Sequence, residues 1–172
     1  CVIFATNGKQ VLRSSDCTRS WSEVYREDAD NTIRAVVINP VSQFQVFIMK
    51  DKGDILESVD GGVSWQVLAR FSRVNLINMA VDPNNAGVLY VASKDNGLYR
   101  SDDGGQTWKS LADGLKKFTG ALEFRKLVIY PSKSNVLYWI STYGILRSED
   151  AGESWKPLNL VTSPGGVKIY SF

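Results

Sequence analysis

Residues 101–108 read Ser-Asp-Asp-Gly-Gly-Gln-Thr-Trp, and residues 58–65 read Ser-Val-Asp-Gly-Gly-Val-Ser-Trp. Two further stretches keep the skeleton: residues 14–21, Ser-Ser-Asp-Cys-Thr-Arg-Ser-Trp, and residues 148–155, Ser-Glu-Asp-Ala-Gly-Glu-Ser-Trp. Each places Asp two positions after Ser, then Ser or Thr, then Trp. The four tryptophans, Trp21, Trp65, Trp108 and Trp155, are 44, 43 and 47 residues apart. Self-similarity at that period marks a repeat architecture.

The surroundings of the motif repeat as well. Before each one lies a short apolar run opened by Gly8, Gly53, Gly97 or Gly144, and before that a second run at residues 2–6, 46–50, 88–93 and 136–141. In three repeats a third run ends near a proline: residues 33–38 before Pro40, 77–81 before Pro83, and 127–130 before Pro131. A fourth run starts at each motif tryptophan. Runs of strand length, rich in Val, Ile, Leu and Tyr and punctuated by Gly, Pro and Asn/Asp, are short strands. Four antiparallel strands in about 45 residues make one blade of a propeller. The expected fold is therefore an all-β β-propeller of four-stranded antiparallel blades.

With the strands named A to D outward from the axis, residues 1–25 supply strands B–D of one blade. Residues 33–69, 76–112 and 124–159 are expected to be complete blades, and residues 167–172 (VKIYSF) fall where another strand A belongs. Two arrangements fit three complete blades plus a split or truncated fourth. The chain is an excerpt of a larger propeller, or residues 167–172 complete the first blade and close a four-bladed ring. The excerpt is favoured because a four-bladed ring is highly curved, although closure would cover edges that invite pairing.

The 172 residues suffice for one compact unit. Twenty basic and eighteen acidic residues leave a formal charge of +2, too balanced for a nucleic-acid binder driven by phosphate neutralisation. No apolar run has the length of a membrane span. The chain has no histidine, which excludes histidine-based triads and metal clusters within it, and two cysteines cannot make a zinc-ribbon site. No metal and no cofactor is expected.

The motif resembles the Asp-box, or BNR repeat, of sialidases, sortilin-type sorting receptors, xyloglucanases and photosystem-assembly propellers. The resemblance covers essentially the whole chain and implies a blade hairpin more specifically than any activity. Its chemistry is structural. A turn Asp accepts backbone N–H bonds across a tight C–D hairpin, and Ser does so more weakly. Ser14, Asp16, Ser58, Asp60, Ser101, Asp103, Ser148 and Asp150 are thus read as turn-forming, and the four tryptophans as packing surfaces for a neighbouring sheet. Trp139 belongs to the apolar pattern of strand B and is expected in the core.

The first box departs from the pattern, with Cys17-Thr18 in place of Gly61-Gly62, and the last carries Ala151-Gly152. Cys1 begins strand B and Cys17 lies in the C–D turn beyond the end of strand C, which makes a disulfide geometrically reasonable; it would imply an oxidising compartment. Two free thiols, or a lipoprotein with lipidated Cys1, are the alternatives. The expected location is extracytoplasmic: secreted, periplasmic, lumenal or lipoprotein.

Variation concentrates in the B–C and D–A loops, which share one end of the propeller. The candidate binding face comprises Asp28, Asp30, Asp51, Arg70, Arg73, Lys116, Lys117, Phe118 and Tyr143. The partner expected is a protein, with carbohydrate less favoured. Glycoside hydrolysis is the competing reading. A sialidase resemblance implies an arginine triad and a Tyr–Glu pair, but the contexts of Arg34, Arg70, Arg73 and Arg125 do not reproduce it, and Tyr25 and Glu23 are merely near in sequence. Xyloglucanase chemistry needs opposed carboxylates about 5–10 Å apart, for which Asp28 or Asp30 opposite Asp51 is the candidate. A non-enzymatic protein-binding or scaffold propeller is the expected function. Part of a glycoside hydrolase with catalytic groups partly or wholly outside this chain is the alternative.

Overall fold

The computed structural model describes residues 1–28 and 30–158. Among them are four antiparallel sheets. The first holds β1 (Ile3–Thr6), β2 (Gln10–Ser14) and β3 (Ser22–Arg26). The second orders β4 (Ile33–Asn39), β5 (Ser42–Lys50), β6 (Asp54–Ser58) and β7 (Gln66–Arg70). The third is built from β8 (Leu76–Val81), β9 (Leu89–Ser93), β10 (Gly97–Ser101) and β11 (Lys109–Ser110). The fourth contains β12 (Phe124–Ile129), β13 (Leu137–Ser141), β14 (Gly144–Ser148) and β15 (Lys156–Pro157). Each four-stranded sheet is a meander, the topology of a propeller blade. The first has only the outer three strands, and the sequence-predicted strand at 167–172 lies outside the described residues.

Three local details differ from the sequence reading. The outer strands begin one residue after each box tryptophan, because the tryptophan still closes the turn. Strand β5 reaches back to Ser42, since the hairpin after β4 is tight, with the Val41 N–H donating to Asn39 Oδ1 at 2.8 Å. A one-turn helix, α1 (Ala112–Lys116), opens the longest connection. Its Leu115 is fully buried, which anchors a segment otherwise rich in Lys and Gly.

The core lies between blades. Val11 of the first blade packs with Ile33, Ile48 and Leu56 of the second. Phe47, Met49 and Ile55 of the second meet Leu76, Leu89 and Val91 of the third. Tyr90, Ala92 and Leu98 of the third meet Leu127, Trp139 and Leu146 of the fourth. Trp139 is fully buried, donates its indole N–H to Ala121 O at 2.7 Å, and lies 4.6 Å from the Phe124 ring centroid. Alternate residues of each strand face opposite neighbours, so nearly continuous apolar runs are what two-sided burial demands. The inner strands β4, β8 and β12 line a groove of about 540 Å³ that includes Val37, Ala80 and Val128.

Candidate binding face

The Asp boxes lie at the end opposite the variable loops, and their geometry repeats. Each buried serine hydroxyl (Ser14, Ser58, Ser101, Ser148) donates to its aspartate at 2.7–2.9 Å. It also accepts the N–H of Thr18, Gly62, Gly105 or Gly152 at 2.7–2.8 Å. The same aspartate accepts the backbone N–H of Ser20, Ser64, Thr107 or Ser154 at 2.8–2.9 Å. Its second oxygen takes that residue's hydroxyl at 2.5–2.7 Å. These donors stabilise the anion, led by the side-chain bonds from Ser20 and Thr107, which lower Asp16 and Asp103 to about 2. Asp60 is held lower still, chiefly by Ser64. Such carboxylates are occupied in their own turns.

At the opposite end the B–C and D–A loops are knitted together by backbone bonds. The Asp51 N–H donates to Thr32 O at 2.9 Å, and the Leu76 N–H donates to Asp51 O at 3.0 Å. The Asp51 carboxylate accepts the Thr32 N–H at 2.9 Å and lies 3.8 Å from Arg34. The Lys52 ammonium hydrogen-bonds Asp30 at 2.9 Å, which lowers the Asp30 pKa. Arg70 lies 3.7 Å from Asp54, and Lys116 2.9 Å from Asp113.

Asp51, Lys52 and Arg73 come together, with Val74 and Asn75, around an open groove of about 510 Å³. Arg73 is exposed, makes no ion pair among the described residues, and holds a left-handed backbone, φ 60°. That conformation is uncommon for a non-glycine residue. Lys116, Lys117, Phe118 and Tyr143 form a separate group around α1. The Phe118 and Tyr143 rings meet at a tilt of 57° with centroids 5.2 Å apart, and both pack against the buried cluster between the last two blades. Tyr143 thus spends a face on Phe118 rather than standing alone as a platform. Asp28 and Arg70 are exposed and line neither group.

A buried ion pair at this end escaped the sequence reading. Lys50, at the last position of β5, contacts Glu27 at 2.5 Å, with both side chains nearly sealed from solvent. The Tyr25 hydroxyl donates to Glu27 at 3.1 Å, and the ammonium sits 5.4 Å from the Tyr25 ring centroid. Burial raises the Tyr25 pKa. Burial alone would lower that of Lys50, but hydrogen bonds to Glu27 and Tyr25 outweigh it and the net shift is upward. Tyr25 is therefore coupled to Glu27, whereas Glu23 bonds Arg26 at 2.6 Å. The available signal was a lysine ending an apolar strand, beside an acidic stretch one strand earlier.

Cys1 and Cys17 are both exposed and free, so the bridge weighed from the sequence is not formed in this structure. Register pairs Ile3 with Ser14, and Cys17 sits beyond the strand in the turn at φ 58°. Among the described residues no cluster of His, Cys, Asp and Glu could hold a metal ion, and no helix is long and apolar enough to cross a membrane.

Comparison with known proteins agrees with this architecture. A xyloglucanase from Paenibacillus sp is 31% identical over 99 residues, covering 47% of this chain and 10% of that protein. The Niastella koreensis GH74 enzyme superposes with a TM-score of 0.75 at 20% identity, over 92% of this chain and 28% of that one. A chain of a nidogen/laminin complex superposes with a TM-score of 0.66 at 18% identity, over 90% of this chain and 59% of that one. The chain thus spans about a tenth of the curated relative and under a third of the GH74 enzyme. The Sortilin-Vps10 family profile, described as sortilin, neurotensin receptor 3, matches residues 9–119 and again 53–163, shifted by one repeat. With four Asp-box blades in sequence and structure and most of its length matched, the chain belongs to the Sortilin-Vps10 family.

Proposed function

We propose that this chain is a non-enzymatic binding segment of an extracytoplasmic β-propeller, presenting its B–C and D–A loops to a protein partner. The observation that carries this reading is the groove at Asp51, Lys52 and Arg73. Its floor is tied by backbone bonds from two blades, while Asp51 and Asp30 are already engaged by Arg34 and Lys52. Arg73 is the cation left to meet a carboxylate or main-chain carbonyl on a partner, and a planar fork of donors suits both. The neighbour in a nidogen/laminin complex supports a protein partner for this type of fold.

The test is affinity capture with the wild-type chain against Arg73→Glu, identifying by mass spectrometry what is retained. A specific protein lost with Arg73→Glu, while the melting curve is unchanged, supports the reading. Equal capture by both would sink it.

One observation favours a second reading. The 31% identical relative is a xyloglucanase, so the parent propeller could act on a β-glucan with Asp28, Asp30 or Asp51 contributing one carboxylate. Release of reducing ends from xyloglucan, abolished by Asp51→Asn in a folded protein, would establish that reading instead.

A further inference from the structure

At the box end, the seam between the first and second blades differs from the seam between the third and fourth. In the third and fourth blades the arginine before the box serine is neutralised by the residue after that serine: Arg100 by Asp102, and Arg147 by Glu149 at 2.7 Å. In the first blade Arg13 holds the same place, but Ser15 follows the serine and offers no carboxylate. Arg13 makes no ion pair among the described residues, and its Nε is buried without a hydrogen-bond partner. Arg100 Nε is buried in the same way, yet that guanidinium has Asp102 at its tip. A second pair is missing from the same seam. Lys109, directly after the third box tryptophan, meets Glu153 of the fourth box at 2.5 Å. Between the first and second blades those two places hold Ser22 and Val63.

The second blade presents apolar surface there instead. Val63 is 80% exposed, and Val41, Phe44 and Val59 are 57–66% exposed. The box turn carrying Val59 and Val63 is tied to the hairpin carrying Val41 and Phe44, because the Gly61 N–H donates to Phe44 O at 2.8 Å. The corresponding bonds in the third and fourth blades run from the Gly104 N–H to Gly87 O and from the Ala151 N–H to Asn135 O. Phe44 therefore stands where those blades carry Gly or Asn. Val59 stands where they carry Asp102 or Glu149, and Val63 where they carry Gln106 or Glu153. A Cβ built on Gly61 would lie 3.6 Å from Phe44 Cδ1 and 3.9 Å from Arg13 Nη2. The unpaired guanidinium thus reaches the edge of the apolar surface from the neighbouring blade.

We propose that this seam binds a protein segment in which an aspartate or glutamate adjoins aliphatic or aromatic side chains. Arg13 takes the carboxylate, and Phe44, Val59 and Val63 take the apolar neighbours. A planar guanidinium suits a carboxylate bidentately, and at a partly buried position the bond is screened less than on an open surface. The exposed apolar side chains beside it supply area to bury. The rest of the box end favours one directed carboxylate over an anionic membrane plane. Asp60, Asp102, Asp103, Glu149, Asp150 and Glu153 are all exposed there, and a plane of lipid phosphates would meet them together. The seam lies at the end of the blades opposite the Arg73 groove, and both of its sides are blades within this chain.

The test selects random dodecapeptides displayed on phage against the whole chain, then measures each synthetic binder by fluorescence anisotropy. The recovered peptides should share an Asp or Glu next to aliphatic or aromatic residues. Ser15→Asp gives Arg13 the internal partner that Asp102 gives Arg100, and Val63→Glu installs the side chain of the fourth box, so the repeat itself uses both residues. Ser15→Asp should weaken binding about 10–100-fold, as loss of one charge-assisted hydrogen bond does, while the melting temperature does not fall. Arg13→Gln and Val63→Glu should also weaken it, and Arg73→Glu should leave it unchanged. The proposal is overturned by a selection that yields no binder, by binders without a carboxylate, or by affinities indifferent to Ser15→Asp or lost with Arg73→Glu. It is equally overturned if phosphatidylserine vesicles, or a second copy of the chain in sedimentation velocity, occupy this surface and are released by Val63→Glu.

Discussion

Leu68 of the second blade covers the bare Cα of Gly105 in the third, so that a Cβ there would fall 2.6 Å from Leu68 Cδ2. Its neighbour Gly104 shares the left-handed conformation, φ 74°, but an added Cβ would meet nothing within 4 Å. The pair separates backbone strain from overpacking. Gly104→Ala should cost about 1–2 kcal/mol, the left-handed penalty alone. Gly105→Ala should cost about 2–5 kcal/mol, because overpacking adds about 1–3 kcal/mol. Urea denaturation of the two variants measures the difference, and equal losses would refute the close packing of Leu68 on Gly105.

The box aspartates set an acid limit. Their folded pKa values are depressed, to about 2 at Asp16 and Asp103, against an ordinary carboxyl value of 3.8. A depressed folded pKa contributes stability that is complete above the unfolded value and is lost as pH falls through the folded one. The melting temperature should therefore hold from neutrality to about pH 5 and fall most steeply between about pH 4 and 2. Asp103→Asn should melt lower at pH 7 and show a shallower acid slope, which thermal scans across pH will detect.

The Lys50–Glu27 pair is nearly sealed from solvent. Removing one member strands a buried charge, which costs about 3–5 kcal/mol, while replacing both by apolar residues of similar size costs little or stabilises. Lys50→Met alone should therefore be more damaging than Lys50→Met with Glu27→Leu. Chemical denaturation of the three proteins gives the ranking, and the reverse order would contradict a desolvated pair.

At the box end the third and fourth blades are tied by Asn84, whose amide donates to Pro131 O at 2.6 Å and Ser134 Oγ at 2.8 Å. The Ser134 hydroxyl in turn donates to the buried Asp82 at 2.5 Å. Asn84→Ala should cost about 1–2 kcal/mol, the net worth of two hydrogen bonds at an exposed site. Hydrogen exchange should quicken at the turns around Asn84 and Ser134 before it quickens elsewhere.

The repeat was legible because the box depends on local chemistry. Ser, Asp and the second hydroxyl lie within seven residues, and their bonds close one turn whatever surrounds it. The Trp139 burial was likewise readable from strand alternation. The loop face was less legible: Asp51, Lys52 and Arg73 share a groove, but Phe118 and Tyr143 belong to a second group that leans on the core. The Tyr25–Glu27–Lys50 cluster was hidden because its members sit on different blades, and only burial turns a surface-type lysine into an internal partner.

The amino-acid sequence by itself determined the blades, since turn hydrogen bonds and strand alternation are properties of neighbouring residues. The tertiary structure alone decided which glycine position is closed to a Cβ and which carboxylates are paired across the loops. Those outcomes depend on the distance between atoms of successive sheets. Thr18 and Gly105 occupy the same line of the repeat, yet only the approach of a leucine from the preceding blade makes the missing Cβ matter.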